Sequence, residues 1–265
     1  MSDGGEAARA AFVAELIRDA GALAQRYFTR ELAFAAEAKG PQDWVSAADR
    51  AVEVRIRTAL ARAFPGDAML GEETGGDAGH AERLWVVDPI DGTLNFVHGM
   101  RYWCVSIAFV ERGRRRIGAI YDPAQDELFL AVAGGGATLN GAPIRVSACA
   151  ALDQALVAAG YVPRHGLDVH LALRRALHEA GAAVKDMGAG ALMLAHVAAG
   201  RFDAFVEPHM HPWDALAGLA LIEGAGGRVA PYPGPGGLAA GGTVVAGAPG
   251  VYDALVALSR GSGAR

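Results

Sequence analysis

The sequence predicts an α+β chain with an antiparallel first half and a second half that alternates helix and strand. Three observations carry this expectation. Two stretches with helical periodicity come first. Short apolar runs then follow one another across tight turns, the arrangement of an antiparallel sheet. Beyond about residue 150, strand-like and helix-like stretches take turns, as in an α/β layer.

The first helix is expected over residues 7–28, where Phe12, Leu16, Leu23 and Tyr27 recur at helical spacing. The second is expected over 47–64. Ala48, Val52, Ile56 and Ala63 form its apolar stripe, and Arg50, Glu53, Arg55 and Arg57 fall mostly off it. Pro65-Gly66 stops it. Strands are then expected at 84–87, ending at Asp88-Pro89, and at 105–110 and 116–121 around a turn at Gly113. Another follows at 128–132. Asn140-Gly141 is a two-residue hairpin signal between 137–139 and 144–146. In the second half, strands are expected at 155–159, 202–207, 228–230 and 243–246. Helices are expected at 167–180, 191–199, 213–223 and 251–258, and 231–242 reads as a Pro/Gly loop. Residues 1–150 and 151–265 therefore form two halves, expected to pack as one compact unit.

Composition narrows the function. The chain has 265 residues, enough for a sizeable core, and its 52% hydrophobic and 20% charged content is that of a globular protein. A formal net charge of −5 argues against a nucleic-acid partner. The basic run at 112–116 falls on a turn and is read as a solvated hairpin tip. No window approaches the ~18 consecutive apolar residues of a membrane span, and residues 1–6 lack the pattern of a secretory signal. Cys104 and Cys149 stand apart and read as reduced thiols. The expected location is the cytoplasm.

Carboxylates fall where elements end. Asp49 lies near the start of the second helix. Glu72 and Glu73 follow Met69-Leu70-Gly71. Asp88 and Asp91 bracket Pro89-Ile90 directly after an apolar strand, and Asp214 opens a later helix. Taken singly, Asp49 and Asp214 read as N-caps, Glu72-Glu73 as a solvated loop, and Asp88-Pro89 as a turn. Taken together they describe an oxygen-rich cation site, which favours Mg²⁺ or Mn²⁺. Gly92-Thr93 comes next, where backbone amides at a turn can hold phosphate oxygens. Adjacent metal-binding acids and a phosphate cradle suggest phosphoryl transfer to water. A rival zinc site is readable in His209, His211 and Asp214, but those residues lack a nearby soft ligand.

The run Trp85-Val86-Val87-Asp88-Pro89-Ile90-Asp91-Gly92-Thr93-Leu94-Asn95-Phe96 resembles the inositol monophosphatase family. So do Trp213-Asp214-Ala215-Leu216-Ala217-Gly218 with Glu223-Gly224-Ala225-Gly226-Gly227, Gly71-Glu72-Glu73, and the segment from Asp43 to Asp49. The resemblance covers nearly the whole chain. It implies a layered αβαβα sandwich, a homodimer, and hydrolysis of a small phosphorylated polyol or sugar with two or three Mg²⁺ ions. By position, Glu72, Asp88 and the Ile90 carbonyl would hold one ion, and Asp88, Asp91 and Asp214 a second. Glu72 and Thr93 would direct the attacking water, with Asp49 supporting Thr93. Gly92 and Thr93 would bind phosphate, together with Asp91 and Asp214 on the substrate side. Glu207 and Gly190 would face the sugar ring. Leu216, Lys185, Ala48 and Ala189-Gly190 depart from common family residues. Those departures touch the pocket wall, so histidinol phosphate, a sugar bisphosphate and a 3′-phosphoadenosine nucleotide stand as alternative substrates. A regulatory role on transcription machinery is the alternative of another class.

Overall fold

A computed structural model describes residues 3–33, 36–40, 43–76, 81–161 and 167–263. Met1 and Ser2, and the side chains of Asp43, Trp44 and Val45, lie outside the described set. The first half runs α1 (Asp3–Phe28), β1 (Ala36–Gly40), β2 (Asp43–Ser46), α2 (Ala47–Ala63), β3 (Ala68–Gly71), β4 (Arg83–Asp91) and α3 (Thr93–Val97). It continues with β5 (Cys104–Glu111), β6 (Arg114–Asp122), β7 (Glu127–Val132), β8 (Gly136–Leu139) and β9 (Ala142–Pro143). The second half runs β10 (Leu156–Ala159), α4 (Leu167–Glu179), β11 (Ala183–Lys185), α5 (Gly190–Ala198), β12 (Ala204–Met210) and α6 (Pro212–Gly224). It ends with β13 (Arg228–Val229), α7 (Gly237–Ala240), β14 (Gly242–Gly247) and α8 (Pro249–Gly261).

The first half carries a seven-stranded sheet in the order β3-β4-β5-β6-β7-β8-β9. It is antiparallel except at β3, which pairs parallel to β4. Two tight turns set its register. Arg112 and Gly113 both have positive φ between β5 and β6, as do Asn140 and Gly141 between β8 and β9, the backbone that two-residue hairpins require. The second sheet has the order β11-β10-β12-β14-β13 and is mixed, parallel around β10 and antiparallel around β14. The strand expected at 144–146 does not form. Pro143 offers the ladder no N–H, and the chain leaves the sheet there; the Val146 amide bonds the Ala225 carbonyl instead.

Three cores stack these layers. α1 and α2 bury Val13, Ile17, Val52 and Ile56 against Trp85, Ile107 and Phe109 of the first sheet. On its other face, Val86, Phe129 and Ala131 meet Leu192, Leu194, Leu216 and Leu219 of α5 and α6, together with Phe205 of the second sheet. α4 and α8 cover the far face of that sheet with Leu173, Leu177, Val251 and Leu255 around Val157 and Val206. The result is an α+β sandwich of alternating helix and sheet layers. Each large side chain so enclosed contributes about 1.5–3 kcal/mol. The basic run at 112–116 forms the β5–β6 tip and the start of β6, where Arg115 pairs with Glu223 and Arg116 with Glu6. Among the described residues, no helix is long and apolar enough to cross a membrane.

Candidate active site

β4 builds the centre of the site by breaking its own register. Asp88 pairs with Ser106 and Asp91 with Cys104, so three steps on β4 oppose two on β5. On a regular strand, residues three apart point to opposite faces. The extra residue of this bulge, at Pro89-Ile90, turns both carboxylates to one side. Asp88 Oδ1 accepts the Ile90 amide at 2.9 Å. Asp91 accepts the amides of Gly190 at 3.1 Å and Leu192 at 3.2 Å, which docks the start of α5 onto it. Asp214 enters from α6. It sits at the third helical position, where its Oδ2 accepts the His211 amide at 3.3 Å.

Ligand oxygens of Asp88, Asp91 and Asp214 lie within 4.8 Å of one another. Asp88 and Asp91 are buried. Burial first, then the charges of Glu72, Asp214 and Asp91, push the Asp88 carboxyl well above the usual carboxylate range. Burial also pushes Asp91 up to about 6, against the lowering effect of its backbone hydrogen bonds. Like charges this close favour protonation unless a cation intervenes. An all-oxygen set of buried carboxylates therefore fits a hard divalent cation. His209, His211 and Asp214 of the rival zinc reading do not form such a group among the described residues. The His211 ring stacks on Trp213 at 4.7 Å, and His209 Nε2 lies 2.7 Å from the Ala240 carbonyl.

Glu72 arrives beside this group from the turn after β3, its amide bonding the Val87 carbonyl at 3.2 Å. Asp49 approaches from α2, where it is the third residue of a capping box with Ser46 as N-cap. Its Oδ2 accepts from the Ser46 amide at 2.8 Å and hydroxyl at 2.5 Å, leaving Oδ1 at 3.3 Å from Thr93 Oγ1. Asp49 and Asp214 thus both sit at the third helical position rather than at the N-cap. Burial pushes the Asp49 carboxyl up to about 6, opposed chiefly by its bonds to Ser46. Thr93 Oγ1 is also 3.0 Å from the Ile90 carbonyl, one of the expected cation ligands.

Gly92 has φ +86°, and α3 begins immediately after it. A Cβ at Gly92 would lie 2.9 Å from Ala189 Cβ and 3.1 Å from the Tyr102 carbonyl, so only glycine lets the 188–190 segment close over this turn. Asn95 ties the same pieces together, donating to the carbonyls of Tyr102 and Met187 at 2.8 Å each. A cavity of about 180 Å³ opens from the acids, its walls including Asp91, Asp214, Gly160, Asp186, Gly190 and Glu207. Glu207 lies on β12 beside a second bulge, buried, with its carboxyl pushed well up by burial and then by Asp214. A larger cavity of about 660 Å³ lies elsewhere, between Leu70, Leu84, Leu216 and Leu238; its described walls carry no carboxylate, so the chemistry belongs to the smaller one.

The structure thus gathers Asp88, Asp91 and Asp214 within 4.8 Å, with Glu72 beside that cluster but outside it, Ile90, Gly92, Thr93 and Asp49 on the adjoining turn and helix, and Gly190 and Glu207 along the cavity. Sequence reasoning missed Gly160, Asp186, Asn95, Cys104 and Glu53. Cys104 lies 3.6 Å from Asp91 Oδ2, its thiol held protonated by burial and then by Asp91. Glu53 falls mostly off the expected apolar stripe of α2 yet is fully buried. Its signal was its spacing, one helical turn after Asp49.

The profile of the inositol monophosphatase family matches residues 7–263. This chain belongs to that family. An inositol-1-monophosphatase from Mesorhizobium japonicum is 41% identical over 223 residues, 82% of this chain and 83% of the relative. A protein named Nus factor SuhB from Pseudomonas aeruginosa is 40% identical over 246 residues, 90% of this chain and 91% of the relative. A solved inositol monophosphatase from Anabaena (Nostoc) sp. superposes with a TM-score of 0.83 at 34% identity, covering 96% of each chain. Inositol monophosphatase family members are metal-dependent phosphatases acting on small phosphorylated substrates. The acidic cluster agrees with that class of chemistry.

Proposed function

We propose that this protein is a Mg²⁺-dependent phosphatase that hydrolyses a small polyol phosphate, an inositol monophosphate first of all. The observation that carries the reading is the convergence of Asp88, Asp91 and Asp214 within 4.8 Å beside the Gly92-Thr93 turn. Glu72, Asp88 and the Ile90 carbonyl, and then Asp88, Asp91 and Asp214, would hold the cations, which supply Lewis-acid charge and a more acidic water when bound. Mn²⁺ suits the same donors.

The remaining steps fall to the chain itself. The amides of Gly92 and Thr93 orient the phosphoryl group. Thr93 Oγ1 directs its proton toward Ile90 O or Asp49 and offers a lone pair to the attacking water. Glu72 takes that water's proton as oxygen attacks phosphorus in line. The bond between phosphorus and the ester oxygen breaks, and the leaving alkoxide is protonated by solvent. No covalent enzyme intermediate forms. Glu207, buried in the cavity wall, accepts a hydroxyl hydrogen bond from the polyol, and Gly190 lines the same cavity next to it.

A panel of inositol monophosphates, histidinol phosphate, a sugar bisphosphate and a 3′-phosphoadenosine nucleotide, assayed for phosphate release with Mg²⁺ and with EDTA, tests this. Fastest Mg²⁺-dependent release from an inositol monophosphate supports it. Release that survives EDTA, or none from any monoester, refutes it. The relatives named Nus factor SuhB favour a second reading, a role on transcription machinery besides hydrolysis. Capture of transcription proteins by an Asp88→Asn variant as well as by wild type supports that role, and capture by neither removes it.

A further inference from the structure

Glu53 is a carboxylate with no exposed surface, and the hydrolytic steps above do not use it. Its oxygens accept the Glu73 amide at 2.8 Å, the Thr74 amide at 3.1 Å and the Thr74 hydroxyl. Arg57, one helical turn along α2, places Nη2 3.3 Å from Glu53 Oε1 and 3.0 Å from the Gly75 carbonyl, and also meets the Thr74 hydroxyl. Gly71 and Gly75 close the turn with two backbone bonds of 3.1 Å. A Cβ on Gly71 would fall 2.5 Å from the Glu53 carboxylate, so the turn sits directly on that group. On its other side the Glu72 amide is bonded to Val87, one residue before Asp88.

This turn has an electrostatic reason to leave. Glu72 bears on Asp88, and Glu73 bears on Asp49, in each case charge against like charge. Something must hold the turn in place before a cation arrives. A buried carboxylate is itself costly, and here its cost is met by two amides, one hydroxyl and a guanidinium that all belong to the turn or to α2. Those same bonds fix where Glu72 begins.

We propose that Glu53, Arg57 and Thr74 form a positioning clamp that holds the Glu72 turn over the acidic cluster and thereby sets the affinity for divalent cations. The proposal rests on the reading of Glu72 as a cation ligand given under Proposed function. The clamp touches neither substrate nor cation. It acts by presenting a preformed ligand, as supporting groups around metal sites do, where their loss costs about 10–100-fold in affinity.

The test uses Glu53→Gln, Thr74→Val and Thr74→Ser in the full chain. Thr74 is exposed, so Thr74→Val keeps shape and folding while deleting the bridging hydroxyl. Mn²⁺ binding is followed by electron paramagnetic resonance, and hydrogen exchange of the Glu73 and Thr74 amides is followed in EDTA. The expected result is roughly tenfold weaker Mn²⁺ binding or more in Glu53→Gln and Thr74→Val. Faster exchange at those two amides and recovery of both properties in Thr74→Ser complete it. Wild-type affinity and exchange in folded Glu53→Gln and Thr74→Val overturn the clamp. A wild-type protein that binds no Mn²⁺ overturns the site reading itself, a result distinct from binding that the variants leave unchanged.

Discussion

Lowering the pH should stabilise the metal-free protein, and Mg²⁺ should remove that dependence. Asp49 is completely buried, and its carboxyl is pushed from 3.8 to about 6, with burial the largest cause. The folded value exceeds the unfolded one, so folding favours the protonated form. Its contribution is whole below the unfolded value and lost as pH rises through about 6. The move from 3.8 to about 6 corresponds to about 3 kcal/mol. Asp88, Asp91 and Glu207 are displaced in the same direction and add to it. For a chain of this size, about half of that is realised between about pH 7.5 and about pH 5, so the melting temperature in EDTA should rise by roughly 3–6 °C over that range from Asp49 alone. Groups held low by arginine partners, such as Glu127 beside Arg201, act in the opposite sense and lose stability as pH falls through their folded values. Mg²⁺, if it binds as proposed, would supply the missing positive charge at neutral pH, worth ~2.7 kcal/mol at a hundredfold excess over its Kd. At pH 5 it must displace protons, so its effect shrinks. Scanning calorimetry across this range, with EDTA and with Mg²⁺, measures both curves. A metal-free melting temperature that falls from pH 7.5 to 5, or a Mg²⁺ shift equal at both pH values, would refute the reasoning.

Other consequences are open to simple variants. Thr93→Val removes the hydroxyl set between Asp49 and Ile90 and should lower kcat by ~10²-fold with little change in melting temperature, read from phosphate release and calorimetry. Gly92→Ala forces a side chain onto a left-handed backbone and against Ala189, so activity should fall and stability drop by about 1–3 kcal/mol in denaturant titrations. Gly160→Ala would set a Cβ 1.9 Å from Glu207 Oε2 and displace that carboxylate; KM for a polyol phosphate should rise about tenfold while a simple aryl phosphate is turned over as before.

How much of this was readable beforehand depended on how local each signal was. Asn140-Gly141 and Gly113 announced their hairpins because the positive φ they adopt is a property of the residue itself. The apolar run before Asp88 announced β4. β3 was missed because Ala68–Gly71 offers only Met69 and Leu70 as large apolar residues and pairs parallel to β4 across a connection. The three-residue edge strand β11 and the β1–β2 hairpin were too short and polar to stand out. Among the candidate site residues, those on one motif could be read together, while Glu53 could not. Helical periodicity assigns a charge to the solvent side, and only the turn folded over α2 reverses that. The bulge at Pro89-Ile90 was equally hidden. Without it, Asp88 and Asp91 would face opposite ways.

Mg²⁺ binding and phosphate release, measured on the same preparations of wild type and Asp88→Asn, address the acidic cluster most directly. Asp88 clusters with Asp91 and Asp214 and feels the charge of Glu72 beside them, so one substitution removes an oxygen from both expected cation positions. Wild type should bind Mg²⁺ in a calorimetric titration and hydrolyse inositol monophosphate. The variant should keep its fold by circular dichroism, lose the binding heat, and lose ~10³-fold or more in rate. A folded Asp88→Asn protein that binds Mg²⁺ and turns over substrate like wild type would contradict the account.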